Sequence, residues 1–308
     1  MNILITGANG FLGRALIKRL KREKNFNIFG LVRQKCCLDI DYAIVDLTST
    51  DEVEDIFKRH RFDVIFHFAA VTEHDKIVND KYRTLDINLN GTRNILQSFN
   101  KYCKDALFIY SSSGKVYGNT NELPITEQAL VRPINVLGKV KSITEKIIDF
   151  YAVPYNKYVI MRIFNVYGIS QKSTFVIPVI MNQLKEGKDI TLGNITDKRD
   201  YLNIEDLTEA FYKIILAKDN LKTEEIINIG SGTALSVRDI LDEFEKCLNI
   251  KINVRVDNSR FRNDEKQIEF CDNSYFKKLT GWEVKNSIST SIKNMCQEYG
   301  LTEKYSAV

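Results

Sequence analysis

A doubly wound parallel α/β sheet followed by a smaller mixed α/β lobe is the fold class this sequence predicts. Three observations carry it. Short apolar runs alternate with longer amphipathic stretches through the first half, the first run ends in a cluster of glycines, and the second half breaks into shorter, less regular elements. Alternating β and α segments imply parallel strands with helices on both faces, joined by right-handed crossovers.

The elements follow in order. Residues 2–6, 26–32, 42–45, 64–68 and 107–110 read as buried strands, each a short run of aliphatic and aromatic residues. Between them, residues 12–22, 51–60 and 85–102 repeat their apolar positions every three or four residues, the period of a helix. In the last of these, Leu85, Leu89, Ile95, Leu96 and Phe99 form the stripe expected to face the sheet. Residues 133–150 predict another long helix and 158–164 a sixth core strand. Beyond Ile169, helices at 176–186, 204–217 and 237–248 alternate with short strands such as 226–229 and 252–256. With no repeat, low-complexity tract or linker in view, residues 1–168 are expected to form the first domain. Residues 169–308 are expected to form a lobe packed on it, with some strands and helices exchanged between the two.

Composition narrows the function classes. With 44 Lys+Arg against 40 Asp+Glu the formal net charge is only +4, and no basic stripe or aromatic-basic motif points to nucleic acid. The six cysteines and the three histidines (His60, His67, His74) form no zinc-like spacing, so no metal is expected. No apolar run approaches the ~20 residues that span a membrane, and the chain opens directly on a strand-like segment. A cytoplasmic protein with reduced thiols is the expectation.

The first strand runs into Thr6-Gly7-Ala8-Asn9-Gly10-Phe11-Leu12-Gly13, directly before an amphipathic helix. Glycine permits a tight turn and close approach of backbone to a diphosphate. The N–H groups and dipole at the helix start then attract its charge. Gly7, Asn9, Gly10, Phe11, Leu12 and Gly13 are therefore candidate dinucleotide contacts, as in a Rossmann domain. An acidic residue about 20 positions further on normally takes the ribose hydroxyl of NAD. Arg33 stands there, in Leu31-Val32-Arg33-Gln34-Lys35, and two basic side chains would attract a 2′-phosphate, so NADP(H) is expected over NAD(H). An NADP(H) site in turn favours reduction over redox-neutral chemistry.

The G-x-x-G-x-x-G spacing after Thr6 resembles the loop of the extended short-chain dehydrogenase/reductase superfamily, and the resemblance extends over residues 1–285. Its members act mainly on nucleotide-linked sugars, as epimerases, dehydratases and reductases. His67-Phe68-Ala69-Ala70 resembles the segment that runs beside the cofactor. Asp46-Leu47 resembles the pair that meets the adenine, and Asn88 the asparagine of the central helix. Ser111-Ser112-Ser113-Gly114-Lys115-Val116-Tyr117-Gly118 is similar to the SSxxVYG stretch, which makes Ser113 the catalytic hydroxyl. Arg162-Ile163-Phe164-Asn165-Val166-Tyr167-Gly168 resembles the run whose asparagine helps hold the substrate's phosphates, and Arg199-Asp200-Tyr201, Asn228-Ile229-Gly230 and Arg262 fall where the family has RDY, NIG and a nucleotide-binding arginine. The resemblance thus implies His74, Ser113, Asn165, Arg199 and Arg262 as substrate contacts, with a diphosphate at Arg262. It also implies a homodimer through a helix bundle that includes residues 133–150.

One position departs from the pattern. The family pairs its serine with YxxxK, where the tyrosine exchanges a proton with the sugar oxygen and the lysine holds the nicotinamide ribose. Here the segment reads Pro133-Ile134-Asn135-Val136-Leu137-Gly138-Lys139-Val140-Lys141. Lys141 is present, Leu137 occupies the tyrosine position, and no other YxxxK occurs. A leucine carries no titratable proton, and losing a general acid costs about 10²–10⁴-fold in rate. Three readings stay open. Tyr117, Tyr167, His74, Lys115 or a water on Ser113 supplies the proton; the site is disarmed; or the protein binds a dinucleotide without turnover. Gly114 and Lys115 stand where dehydratases of the family carry acids, which places dehydration below 4-keto-sugar reduction and C4 epimerisation. Reduction is the first expectation and epimerisation the second.

Overall fold

The computed structural model describes residues 1–72, 77, 79–187, 189–261 and 267–306. Its centre is a seven-stranded, all-parallel sheet in the order β10-β6-β5-β4-β1-β2-β3. The strands are β1 (Asn2–Thr6), β2 (Asn27–Val32), β3 (Asp41–Ile44), β4 (Val64–His67), β5 (Leu107–Ser113), β6 (Lys157–Ile163) and β10 (Glu224–Ile229). From β1 the chain runs outward through β2 and β3, then crosses back to β4 and runs the other way. The loops after β1 and β4 therefore part, opening the crevice where doubly wound sheets bind ligands.

Alternation along the strands splits the core in two. Ile3 and Ile5 of β1 join Phe66 of β4 on one face, under α1 (Phe11–Leu20) and α7 (Ile204–Leu216), whose Leu16, Leu20, Leu207 and Phe211 are fully buried. Leu4, Ile65 and Phe108 lie on the other face. There α2 (Thr50–Arg59), α4 (Gly91–Tyr102) and α5 (Val136–Tyr151) supply Val53, Ile95, Phe99 and Ile148. Residues 204–229 thus return to the large sheet late in the chain, with α7 covering it and β10 at its edge.

The remaining elements form a second core around Ile180, Met181, Leu241, Phe244 and Ile292. It comes from α6 (Val176–Glu186), α8 (Val237–Leu248) and α10 (Ile288–Glu298). Beside these, β9 (Lys198–Asn203) pairs with β7 (Asn165–Tyr167), β11 (Ala234–Ser236) and β13 (Ile268–Glu269), and β8 (Ile190–Leu192) pairs with β12 (Val254–Val256). The helix α9 (Ser274–Thr280) and the short C-terminal α11 (Leu301–Ser306) complete the chain. No helix among the described residues is long and apolar enough to cross a membrane.

Two elements near the site differ from the sequence expectation. The helix expected over 85–102 is instead α3 (Lys81–Leu85), a π-turn over Asp86–Asn90, and α4. The wider turn shifts the helical face, so Leu85 is 37% exposed while Asn88 is buried. The fifth strand also runs three residues past Tyr110, because Ser111, Ser112 and Ser113 pair with Met161, Arg162 and Ile163 of β6. Serine has little strand preference of its own, and tertiary pairing overrides it.

Phe211 ties α7 to the loop leaving β4. Its ring centroid sits 5.6 Å from Phe66 and 4.9 Å from Phe68. Truncating such a side chain leaves a cavity, and we expect Phe211→Ala to cost about 3–5 kcal/mol, measured by urea unfolding. A change below ~1 kcal/mol would mean that the site collapses around the hole.

Candidate active site

The glycine loop has the close approaches that a diphosphate cradle needs. Gly7 has φ +68°, and a Cβ there would lie 2.9 Å from the Ala69 nitrogen. A Cβ on Gly13 would lie 2.5 Å from the Gly7 oxygen and 2.6 Å from that of Ala8, so only glycine lets α1 start this close to β1. Gly10 caps α1 with no side-chain cap, and the first turn carries no acid. The N–H groups of Phe11, Leu12 and Gly13 lie in that first turn, which has no intrahelical partners. The Asn9 amide oxygen accepts from Arg14 and turns that side chain along the loop. The cradle fits a dinucleotide diphosphate.

Beside it, a directed chain of hydrogen bonds fixes the end of β4. The Ala69 N–H donates to Thr6 Oγ1 (3.1 Å), which lies 2.8 Å from His67 Nδ1. His67 Nε2 lies 2.9 Å from Thr92 Oγ1, whose hydroxyl donates to the Asn88 carbonyl at 2.6 Å. With the Thr92 proton committed, Nε2 carries the imidazole hydrogen and Nδ1 accepts from Thr6. The Asn88 amide grips Val71 at both its N–H (2.7 Å) and its carbonyl (3.0 Å). Phe68, Ala69 and Ala70 are thereby held, half-buried, against the glycine loop.

At the far end of the crevice, Asp46 accepts the Thr48 N–H (3.0 Å) and hydroxyl (2.8 Å), which lower its pKa. Arg83 stands 3.5 Å away. The Leu47 carbonyl accepts from Asn94 at 2.9 Å. Arg33 and Lys35 follow β2 on the exposed surface.

The serine edge is the most densely wired part. Ser113 ends β5 level with Ile163 of β6, and its hydroxyl oxygen accepts the Lys115 N–H at 3.2 Å. Lys141, on α5, is buried with Nζ donating to the Ser111 carbonyl and lying 4.6 Å from the Tyr110 ring. Burial lowers its pKa to about 8, with Glu145 opposing. Leu137 sits one turn before it, half-buried. The next residue, Gly138, packs so tightly that a Cβ would lie 2.3 Å from the Lys115 oxygen, which sets α5 directly on the turn after Ser113.

Below these residues lies a network that joins several of those motif residues through Glu145. Glu145 accepts from Ser112 and forms a two-point pair with Arg162 (2.7 and 3.1 Å). Arg162 also donates to the Tyr117 hydroxyl (3.1 Å), which donates to Asn228 Oδ1 (2.6 Å). Burial pushes the Tyr117 pKa up to about 12. The signal for this network was an arginine inside the apolar strand Lys157–Ile163, since a buried guanidinium requires a carboxylate.

Two further candidate substrate contacts among the described residues lie on the smaller sheet. Asn165, on β7, donates to the Asp200 carbonyl at 3.2 Å. Arg199, on β9, is buried and donates to the Lys198 carbonyl at 3.0 Å, with Asp197 at 3.4 Å. His74 and Arg262 lie outside the described residues. Asp200 is a structural hub, accepting from Ser231 (2.6 and 2.7 Å), Gly232 (3.0 Å) and Cys271 (3.2 Å). Gly230 is required there, since a Cβ would lie 2.4 Å from the Asp200 carboxylate.

A parallel sheet whose glycine loop, β4 end and serine edge meet at one crevice defines a Rossmann-type dinucleotide-binding protein. Residues 3–230 match the NAD dependent epimerase/dehydratase family, and the chain belongs to it. The family binds NAD or NADP. The chain is 29% identical over 243 residues to the GDP-6-deoxy-D-talose 4-dehydrogenase of Aggregatibacter actinomycetemcomitans, covering 78% of each. It is 25% identical over 306 residues to the GDP-6-deoxy-D-mannose reductase of Pseudomonas aeruginosa, covering 96% of each. Among solved structures it is similar to the UDP-glucose 4-epimerase of Thermotoga maritima with UDP-glucose. There the TM-score is 0.85 at 25% identity, over 98% of this chain and 100% of that one.

We expect Gly13→Ala to weaken dinucleotide binding, tested with NADPH and NADH, at least ~10-fold, the effect of losing about one hydrogen bond's worth of fit. Fluorescence titration of the folded variant measures it.

His67 predicts a pH dependence. Its pKa is pushed down to about 3 by burial and by the nearby Lys141 cation, against ~6.5 in an unfolded chain. Below about pH 6.5 the unfolded state takes up a proton that the folded state refuses, so stability falls as pH drops toward 3. The loss from this residue should approach ~1.4 kcal/mol per pH unit. Denaturant melts between neutral pH and pH ~5 test it, with His67→Asn expected to flatten the slope.

Proposed function

We propose that this protein reduces the C4 carbonyl of a nucleotide-linked 4-keto sugar with NADPH. The observation that carries the reading is the basic end of β2. Arg33 is exposed with no carboxylate partner among the described residues, and no acid follows in Gln34-Lys35 to meet a ribose hydroxyl. A 2′-phosphate suits that arrangement and the hydroxyl pair of NAD does not. The similarity to a GDP-6-deoxy-D-mannose reductase over 96% of both chains supports the direction of reaction.

In this reading residues 1–168 carry the dinucleotide and residues 169–308 the nucleotide-sugar. Gly7, Asn9, Gly10, Phe11, Leu12 and Gly13 hold the diphosphate, Asp46 and Leu47 flank the adenine, and Phe68–Ala70, set by Asn88, border the nicotinamide side. Bound reduced nicotinamide supplies hydride. The Ser113 oxygen accepts from Lys115, and its own proton, with no acceptor among the described residues, is left to polarise the sugar oxygen. Lys141 uses only part of its donor capacity on Ser111 and offers the rest to the nicotinamide ribose. Asn165, Arg199, His74 and Arg262 are assigned to the nucleotide-sugar. A second copy is placed against α5, where Ile143 is 43% and Phe150 82% exposed.

The second reading is C4 epimerisation, favoured by the similarity to the UDP-glucose 4-epimerase structure. The third, binding without turnover, follows from Leu137. The test is NADPH absorbance with GDP-, UDP- and dTDP-linked 4-keto-6-deoxy sugars, for the wild type and Leu137→Tyr. We expect consumption by the wild type, with NADPH preferred to NADH. Arg33→Glu should raise the NADPH KM roughly 10- to 100-fold, the scale of a lost charge-assisted contact. Silence from both proteins with NADPH bound would sink the reductase reading in favour of the other two.

A further inference from the structure

Carbonyl reduction needs a proton as well as a hydride, and the surroundings of Ser113 restrict its source. The Tyr117 hydroxyl accepts from Arg162 and donates to Asn228, so its proton is already committed. Tyr167 packs into the second core with Ile180 and Met181, and burial raises its pKa. Lys115 has its ammonium 2.8 Å from Glu269, a carboxylate only 6% exposed, and giving up that proton would strand a buried charge. Lys141 remains. It lies four residues after Leu137, on the same face of α5, with Nζ on the carbonyl of Ser111, two residues before Ser113 on the same strand.

We propose that Lys141 is itself the proton donor of this enzyme, delivering to the sugar oxygen directly or through the Ser113 hydroxyl. The inference rests on the reductase reading above. The carbonyl carbon accepts hydride from the reduced dinucleotide, and the carbonyl oxygen accepts a proton as the Nζ–H bond breaks. The neutral amine then regains a proton from water. The groups around Nζ suit the role. Tyr110 of β5 presents its ring, His67 of β4 is neutral, and Glu145 of α5 is engaged by Arg162 of β6 and by Ser112. Lys115, in the turn after β5, faces Glu269 instead. With Leu137 in place of a phenol, no acid stands between Lys141 and the ligand on that helical face. Burial brings the pKa of Lys141 to about 8, in the range where a general acid works best at neutral pH.

The test combines kinetics with a direct titration. Turnover of a 4-keto nucleotide-sugar with NADPH is followed across pH ~6–10 for the wild type, Lys141→Arg, Lys141→Met and Leu137→Tyr. NADPH binding by each is measured by fluorescence. The 13Cε signal of Lys141 in labelled protein, assigned by its loss in Lys141→Arg, is titrated in parallel. We expect wild-type kcat to fall as pH rises through about 8, together with the NMR transition. Lys141→Arg keeps the cation and should bind NADPH within a few-fold, yet lose about 10²–10⁴-fold in kcat. Near wild-type kcat in Lys141→Arg, or an alkaline limb unchanged by it, would overturn the proposal. So would turnover by Leu137→Tyr alone, which leaves the reductase reading intact with the wild-type site disarmed. Silence from wild type and Leu137→Tyr alike overturns the reductase reading itself, and this inference with it.

Discussion

The surplus of positive charge buried beneath the carboxyl end of β5 is the constraint around which this site is arranged. Lys141, Glu145 and Arg162 are all less than 10% exposed, two cations against one carboxylate. Glu145 is fully claimed by Arg162 and Ser112, so Lys141 is left with a carbonyl and a ring face. Neither compensates a buried charge as a carboxylate would, and the pKa of Lys141 falls accordingly. A site built this way welcomes negative charge at the crevice. Electrostatic stabilisation of that kind is strongest where water is excluded and the charge is already in place.

The same cation shapes the cofactor side. His67 is a core imidazole held neutral by burial and by Lys141, and its neutrality gives the hydrogen-bond chain from Ala69 to Asn88 its direction. A protonated ring would need two acceptors, and Thr6 already offers its own proton to Nδ1 after accepting from Ala69. The loop after β4 is thus locked by one tautomer, and the π-turn at Asp86–Asn90 brings Asn88 into place to finish the lock.

Much of this was legible in the sequence, for reasons that differ between elements. The large sheet could be read because its central strands are buried on both faces and stand out as apolar runs. The glycine loop could be read because the positive φ of Gly7 and the tight contacts of Gly13 admit no side chain. The π-turn was not legible, since nothing in Asp86-Ile87-Asn88-Leu89-Asn90 marks the extra residue, and Leu85 was accordingly assigned to the wrong face. The strands around Arg199 were hidden because β9 is held by long-range partners on either side. Asp200 and Glu145 could be seen as charges, but not what they hold, because their partners lie far away along the chain.

Leu137 takes on a different sense against this background. Placed on an exposed helix, it would be a neutral change. Here it sits half-buried one turn from an ammonium that has no carboxylate of its own, on the face of α5 that abuts the turn after Ser113. A phenol at that position would bring a hydroxyl to share the charge; an isobutyl group brings only apolar surface and keeps water away. Leucine at this position offers that ammonium no hydrogen-bond partner. Lys115, the remaining basic side chain of that turn, is neutralised by Glu269. Lys141 is thereby left as the buried cation of that edge without a carboxylate of its own, its ammonium on the Ser111 carbonyl two residues before Ser113.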